Sequence, residues 1–407
     1  MTSFGMVSPL GIGVPEFRRR MFAGDSGVID SRGTIVADTF PVKAVGLVPR
    51  ARLGQPSVLA GRPPDATPLT WRFAGVATDE AIAGLPPGHA IDGIVYAAAE
   101  GTTFDLIRES FRGFAADRFD WDATRMEATL ELLRAIVAAH GNGHVPDERL
   151  ISINNACISS NQAIGIALHR IRSGEWQRAL VGGADARCKD DNLMNFHLLG
   201  AVTVADRPAA QASRPFSNDR SGFVRGEGAA TLILESRAAA EARGAHLLGV
   251  VAGAAMTSDA FGLTTGRSDG KAVVRAMSGA LADAGIPPAN VSAISAHGTS
   301  TRMNDLLETR AIKTLFGERA HRIPVTALKS QIGHATVAAG AIAAVGALVM
   351  LEDQRLGPTI NYDEPDPECD LDYVPNHARD AQLDAILSNT FGFGGQNGCV
   401  VFMRADL

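Results

Sequence analysis

The sequence predicts an α/β protein made of two similar halves, and three observations point there. Short apolar runs alternate with stretches of helical periodicity along most of the 407 residues, the pattern of strands connected through helices in stacked layers. A strand–helix–strand unit near residue 150 is followed by a similar one near residue 291. Composition is 46% apolar and 20% charged with 43 glycines, enough to bury a core and turn the chain often, which excludes a disordered or fibrous protein. Lys+Arg number 38 against 44 Asp+Glu, a net charge of −6, and no basic stripe stands out. That argues against nucleic acid as a partner. An acidic protein partner would have to be met by a local basic patch.

Taken in order, residues 2–7 (TSFGMV) read as the last part of a strand, and residues 30–70 and 110–147 as loops and peripheral helices. LISIN at 150–154 is a short strand. Residues 159–172 form a helix on the spacing of Ala163, Ile164, Ala167, Leu168 and Ile171, with Gly174 as its stop, and ALVGGAD at 179–185 is the next strand. Links this short imply a right-handed parallel crossover. A polar Ala/Glu/Arg stretch at 235–244 marks the seam, dividing the chain into halves 1–242 and 243–407 of one unit. Beyond it VSAIS at 291–295 is a strand, and Leu306, Leu307, Ile312, Leu315 and Phe316 give a helix that Gly317 ends. The strings Ala156-Cys157-Ile158-Ser159-Ser160 and Ala296-His297-Gly298-Thr299-Ser300 look like equivalent junctions in the two halves. Residues 335–351 are nearly long enough to span a bilayer, but Ala and Gly dominate and Lys329 and His334 immediately precede them. A buried core helix is expected there.

Cys157, Cys188, Cys369 and Cys399 lie far apart with no CxxC pair. This is neither a disulfide framework nor a zinc site, and suits a reducing cytoplasm. The opening MTSFGMVSPLG has no signal-peptide pattern. Cys157, between a strand and a helix start, is the candidate nucleophile, with helix N–H groups expected to favour its thiolate. His297 precedes a turn of small hydroxyl residues, and His334 stands at the entry to the Ala/Gly helix. The other histidines (His89, His140, His144, His169, His197, His246, His321 and His377) are read as structural. No HxxxH spacing supports a metal. The cluster RPFSNDRSGFVRGEG at 214–228 reads as a charged loop entering a strand at 230–234. FGFGG at 391–395 suits a loop whose backbone approaches a ligand closely.

These motifs together resemble the elongating β-ketoacyl-acyl-carrier-protein synthases of the thiolase superfamily. The resemblance is carried by ACISS at 156–160, HGTST at 297–301 with Asn304, Asp305 and Glu308, KSQIGH at 329–334 with AAG at 338–340, FGFGG at 391–395 and the 214–228 cluster, in family order over residues 150–400. It implies a thiolase-like fold with α/β/α/β/α layers and a decarboxylating Claisen condensation of a Cys-bound acyl chain with a malonyl carrier. It further implies Cys157, His297, His334 and Lys329 as catalytic residues and Cys157 and Phe393 as oxyanion hole and gate. Glu308 and Asp305 would form a supporting network, and Thr299, Thr301 and Thr264 would hold the pantetheine arm. No metal or other cofactor is implied, the substrates riding on the phosphopantetheine of an acyl carrier protein. A homodimer, or a heterodimer with a related subunit, is implied, without a membrane or nucleic-acid partner. Arg62, Arg72 and Arg267 are candidate carrier contacts. Departures at 50–80 and 105–150, with Asn155 where a threonine is more usual and Gly262 where a histidine is, favour a polyketide or polyene pathway over fatty-acid elongation. Two alternatives stand beside this reading: a non-catalytic or chain-length-setting partner subunit, and an acyltransferase that uses Cys157 without decarboxylation.

Overall fold

Two mixed sheets with the same internal pairing order organise the protein. The computed structural model describes residues 1–59, 67–86, 90–99, 121–139, 145–264 and 266–406. The first sheet runs Gly11–Ile12, Ser3–Ser8, Gly228–Glu235, Arg178–Asp185, Gly93–Ala99, Leu150–Ser152. The second runs Val250–Ser258, Gln396–Met403, Ala385–Gly392, Ala293–Ser295, Val325–Thr326. Leaving aside the short Gly11–Ile12 strand, each sheet is antiparallel across its first two junctions and parallel across the last two.

Helices Ser159–Arg172 and Ala339–Asp353 lie between the sheets and touch strands of both. Helix Leu69–Ala83 covers the outer face of the first sheet, and Lys271–Ala284 with Arg302–Phe316 the outer face of the second. The result is the thiolase-like α/β/α/β/α layering. The middle position explains the composition of Ala339–Asp353. It is buried on every side through Leu351, so it needs no polar face, and its small residues let two sheets approach it. The helical stretch Thr336–Asp353 is long and apolar enough to cross a bilayer, but it is mostly buried inside the molecule and is a core helix.

The helix expected over 159–172 is Ser159–Arg172, and the strands expected at 150–154, 179–185 and 291–295 are Leu150–Ser152, Arg178–Asp185 and Ala293–Ser295. Two expectations change. The strands flanking Ser159–Arg172 are not neighbours, because Gly93–Ala99 lies between them and pairs parallel with both. The junctions at Cys157 and His297 are also not equivalent. Strand order matches Leu150–Ser152, before Cys157, to Val325–Thr326, before Lys329, and matches Ala293–Ser295, before His297, to Gly93–Ala99. The similar strings reflect shared local needs, a small residue and hydroxyls at a strand end, and not a shared place in the repeat. The strand expected at 2–7 is Ser3–Ser8, which pairs with Gly228–Glu235 over Ser3–Val7 and with Gly11–Ile12 at Val7 and Ser8. The region 30–70, read as loops and peripheral helices, holds the strand Ala44–Gly46, and at its end begins the helix Leu69–Ala83, which buries Trp71, Phe73, Ala74, Ala77 and Ala81. Residues 105–120 and 140–144 of the departing segment 105–150, with His140 and His144 among them, and His89 and Arg62 lie outside the described residues.

One backbone crossing bears directly on the site. The segment around Gly226 runs against residues 332–334, with Gly226 N–H donating to the His334 carbonyl at 3.0 Å and His334 N–H to that of Val224 at 2.7 Å. A Cβ on Gly226 would lie 2.4 Å from the Ile332 oxygen, and Gly333, at φ +70°, would bring a Cβ to 2.8 Å from the Val224 oxygen. Gly226→Ala is therefore expected to cost about 2–3 kcal/mol, the range for overpacking in a tight interior, read as a lower midpoint in urea unfolding at unchanged slope.

Candidate active site

Three chain segments converge on one chamber. Cys157 follows the edge strand of the first sheet, two residues before helix Ser159–Arg172. Ala156 adopts φ +48°, a strained conformation for a residue with a Cβ. The turn is held by Ser159 Oγ, which donates to the Ala156 carbonyl at 2.6 Å and accepts from Asn155 N–H at 2.7 Å. The Asn155 side chain donates to Gln162 Oε1 at 3.0 Å. The residue that departs from the family string thus braces the turn that presents the sulfur.

His334 Nε2 lies 3.1 Å from Cys157 Sγ. The His297 ring stands 5.2 Å from that of His334, nearly perpendicular to it. All three line one cavity of about 330 Å³ with Phe196, Phe223, Thr299, Thr301, Thr264, Thr336, Phe391 and Phe393. Exposed Leu199, Leu263 and Met303 rim its mouth. Among the described histidines only these two are buried; His169, His246, His321 and His377 are exposed and His197 is half-buried.

The protonation states follow from what surrounds each group. Lys329 Nζ donates to the His297 carbonyl at 2.7 Å and sits 3.4 Å from Nδ1. With a cation against Nδ1, the imidazole keeps its proton on Nε2 and is a hydrogen-bond donor there. Burial, followed by the Lys329 charge, holds both imidazoles well below the usual histidine range. Both stay neutral at physiological pH. The thiolate expected from the helix position does not hold. Burial pushes the Cys157 thiol up to about 11, against the lowering pull of the Lys329 and Arg225 charges and of a Phe393 N–H aimed at the sulfur. The resting pair is thiol and neutral imidazole.

Carboxylates behind the chamber hold its wall. Glu308 accepts from the N–H groups of His297 and Gly298, both at 2.9 Å, and from the Asn389 side chain at 3.0 Å. Asp305 accepts from the N–H groups of Thr299, Ser300 and Phe216. Burial raises both carboxyls above their ordinary values, and the backbone bonds to each pull the other way by favouring the ionised form. These contacts fix the 297–301 turn. Thr299 and Thr301 share a 3.0 Å bond on the chamber wall, while Thr264 is exposed at its mouth. Arg267, also near the mouth, pairs with Asp269. Arg72 lies on the outer helix and reaches the Leu53 carbonyl. Among the described residues no three His, Cys, Asp or Glu side chains cluster as metal ligands.

Lys329→Met should move the acid limb of any reaction needing neutral His297 upward by about one pH unit or more, since a unit charge 4 Å away acts with roughly 4 kcal/mol at a protein-like dielectric. The sign is set by the loss of a cation that disfavours imidazolium. A pH–rate profile of the variant beside the wild type reads it.

Known proteins place this fold and chamber together. Residues 149–240 match the family model described as the β-ketoacyl synthase N-terminal domain, and residues 248–363 the β-ketoacyl synthase C-terminal domain. A putative polyketide β-ketoacyl synthase 1 of Streptomyces cyaneus is 34% identical over 98% of this chain and 96% of that protein. The 3-oxoacyl-[acyl-carrier-protein] synthase 2 of Synechocystis is 43% identical over 61% of this chain, a match spanning 60% of that relative's length. Among solved structures, a type II polyketide ketosynthase bound to a hexaketide and in complex with its acyl-carrier protein superposes at TM-score 0.86 with 32% identity, covering 99% of this chain and 98% of that one. The ishigamide ketosynthase/chain length factor superposes at 0.84 with 31% identity, over 99% of this chain and 98% of that one. The chain belongs to the β-ketoacyl synthase family.

The sequence singles out none of Asp185, Arg187 and Arg225 as a site residue, yet all three side chains stand close behind the chamber. Arg225 fell inside the 214–228 cluster read as a charged loop, and the only signal was an arginine at a position that proves fully buried.

Proposed function

We propose that this protein is a soluble, cytoplasmic ketosynthase that condenses a Cys157-bound acyl chain with a malonyl unit on an acyl carrier protein, in a polyketide or polyene pathway. The observation that carries the reading is one chamber holding a thiol 3.1 Å from one neutral imidazole with a second imidazole beside it.

In the first half-reaction His334 Nε2 takes the Cys157 proton as sulfur attacks the carrier-bound thioester. The developing oxyanion faces the Cys157 and Phe393 N–H groups. Collapse expels the pantetheine thiolate, which takes the proton back from His334. In the second, the malonyl carboxylate leaves as carbon dioxide and its electron pair passes into the thioester carbonyl. The enolate oxygen is met by the Nε2–H group of His297 and by that of His334, once solvent exchange has moved the His334 proton from Nδ1 to Nε2. The enolate carbon then attacks the Cys157 acyl carbonyl, and collapse returns the Cys157 thiolate and a 3-oxoacyl carrier. Thr299 and Thr301 offer hydroxyls to the pantetheine arm along the tunnel, Thr264 another at its mouth. Phe393, whose ring stacks on Phe196 with centroids 6.2 Å apart, separates the acyl side from the entrance. The chain acts as a homodimer or beside a related subunit, a pairing the ketosynthase/chain length factor relative supports.

Mass spectrometry of Cys157 after incubation with a panel of acyl carriers tests the reading and reports acyl preference. It predicts a Cys157 adduct from at least one acyl carrier. No adduct from any carrier would leave the role of a chain-length-setting subunit.

A further inference from the structure

Behind His334 lies a buried charge cluster that the condensation chemistry above does not use. Arg225 is fully buried and its guanidinium is completely engaged. Nε donates to Asn192 Oδ1 at 3.0 Å, one terminal nitrogen to the His334 carbonyl at 2.8 Å and to that of Gly226, and the other to Asp185. Asp185, the buried last residue of its strand, also binds Arg187, through its Nε at 3.3 Å, a terminal nitrogen at 2.8 Å and its backbone N–H at 3.0 Å. It further accepts from the Thr336 hydroxyl, which Arg187 reaches at 3.2 Å. Thr336 adopts φ +31° and lines the chamber two residues beyond His334.

One cluster therefore holds the His334 carbonyl and the Thr336 hydroxyl two residues on, and carries two guanidinium groups against one carboxylate. A buried arginine that spends donors on two main-chain carbonyls is a specific device, because a loop brace on the surface would do as well with a neutral side chain. The groups facing the His334 imidazole are the Cys157 thiol, the His297 ring and the Phe223 ring in the chamber, Lys329 on the adjoining helical turn, and Arg225 and Asp185 behind. Among the described residues Nδ1 of His334 has no hydrogen-bond partner, so no direct hydrogen bond there sets its charge state. Burial and longer-range fields do.

We infer that Asp185, Arg187 and Arg225 are positioning residues for His334, and that their excess positive charge adds to burial and Lys329 in keeping its imidazole neutral and lowers the barrier to ionising Cys157. This rests on the proposed condensation chemistry for its role, but its first test does not. The pH dependence of Cys157 alkylation by iodoacetamide needs no carrier. Removing the cation in Arg225→Met should raise the alkylation midpoint, and removing the anion in Asp185→Asn should lower it, since the two charges act on the sulfur with opposite sign. Structural damage would not produce a pair of opposite shifts.

With malonyl carrier as substrate, Arg225→Met should lose decarboxylation about 10- to 100-fold, less than the roughly 10²- to 10³-fold for loss of a donor that touches the enolate oxygen itself. Its acid limb should rise, and Cys157 acylation should slow in step with the raised alkylation midpoint. Arg225→Lys, which keeps the charge without the fork, should hold the alkylation midpoint and show an intermediate rate. Should Arg225→Met fail to fold by circular dichroism, the Lys and Asn variants carry the test. Midpoints that move in the same direction in Arg225→Met and Asp185→Asn, or that shift in Arg225→Lys, would overturn the inference. A wild type that alkylates as described yet never decarboxylates would leave it standing and remove the condensation reading instead.

Discussion

Cys157→Ala is expected to abolish acyl loading and to lower condensation by about 10⁴-fold or more, the scale on which loss of an activated nucleophile acts. Carbon dioxide release from a malonyl carrier should persist within about tenfold, because the enolate oxygen is met by imidazoles and not by the sulfur. The two effects follow from the geometry. The thiol bonds to His334 Nε2 and takes part in every step that makes or breaks the acyl–enzyme bond. It is one wall of the chamber while decarboxylation proceeds elsewhere in it. Intact-mass analysis of the variant with an acyl carrier, and a carbon dioxide assay with a malonyl carrier, separate the two. Decarboxylation falling together with loading would show that the sulfur does more than carry the chain.

His334→Ala should have the complementary result. Loss of one of two donors to the enolate oxygen should lower decarboxylation about 10²- to 10³-fold. Acylation should suffer as well, by the smaller factor expected when a base is removed from a thiol that burial holds up to about 11. His297→Ala should lose decarboxylation with acylation nearly intact, since the imidazole bonded to the sulfur is that of His334 and His297 is held from behind by Lys329. The contrast between the two variants, read as the ratio of acylation to decarboxylation rates, distinguishes two enolate donors from a simple Cys–His acyl-transfer pair. In a simple pair, His297 would be dispensable for both.

Much of this was legible in the sequence, for a physical reason. Cys157 and His297 follow strand ends and His334 follows a short helix, each beside small or hydroxyl residues, and such turns are local enough to leave a local string. Asp305 and Glu308 were legible too, since a helix start three residues apart brings two carboxylates to one face. What depends on distant partners left no string. The thiolate expected at Cys157 fails because its environment is set by buried walls contributed from residues 196 to 397, and helix position alone carries no information about them. Arg225 lies 40 residues from Asp185 and 109 from His334 along the chain, so it looked like one more charge in a polar loop. The apparent match between the Cys157 and His297 junctions misled for the opposite reason. Two turns with similar local demands look alike although strand order puts them at different places in the repeat.

The account stands on a sulfur and two imidazoles acting in sequence on one covalently held chain. A single-turnover experiment tests it most directly: protein pre-acylated on Cys157, freed of carrier, then mixed with malonyl carrier labelled at the free carboxyl. The prediction is one labelled carbon dioxide and one 3-oxoacyl carrier for each Cys157 adduct lost. Adduct lost to water without carbon dioxide, or carbon dioxide released with the adduct intact and no new carbon–carbon bond, would contradict it.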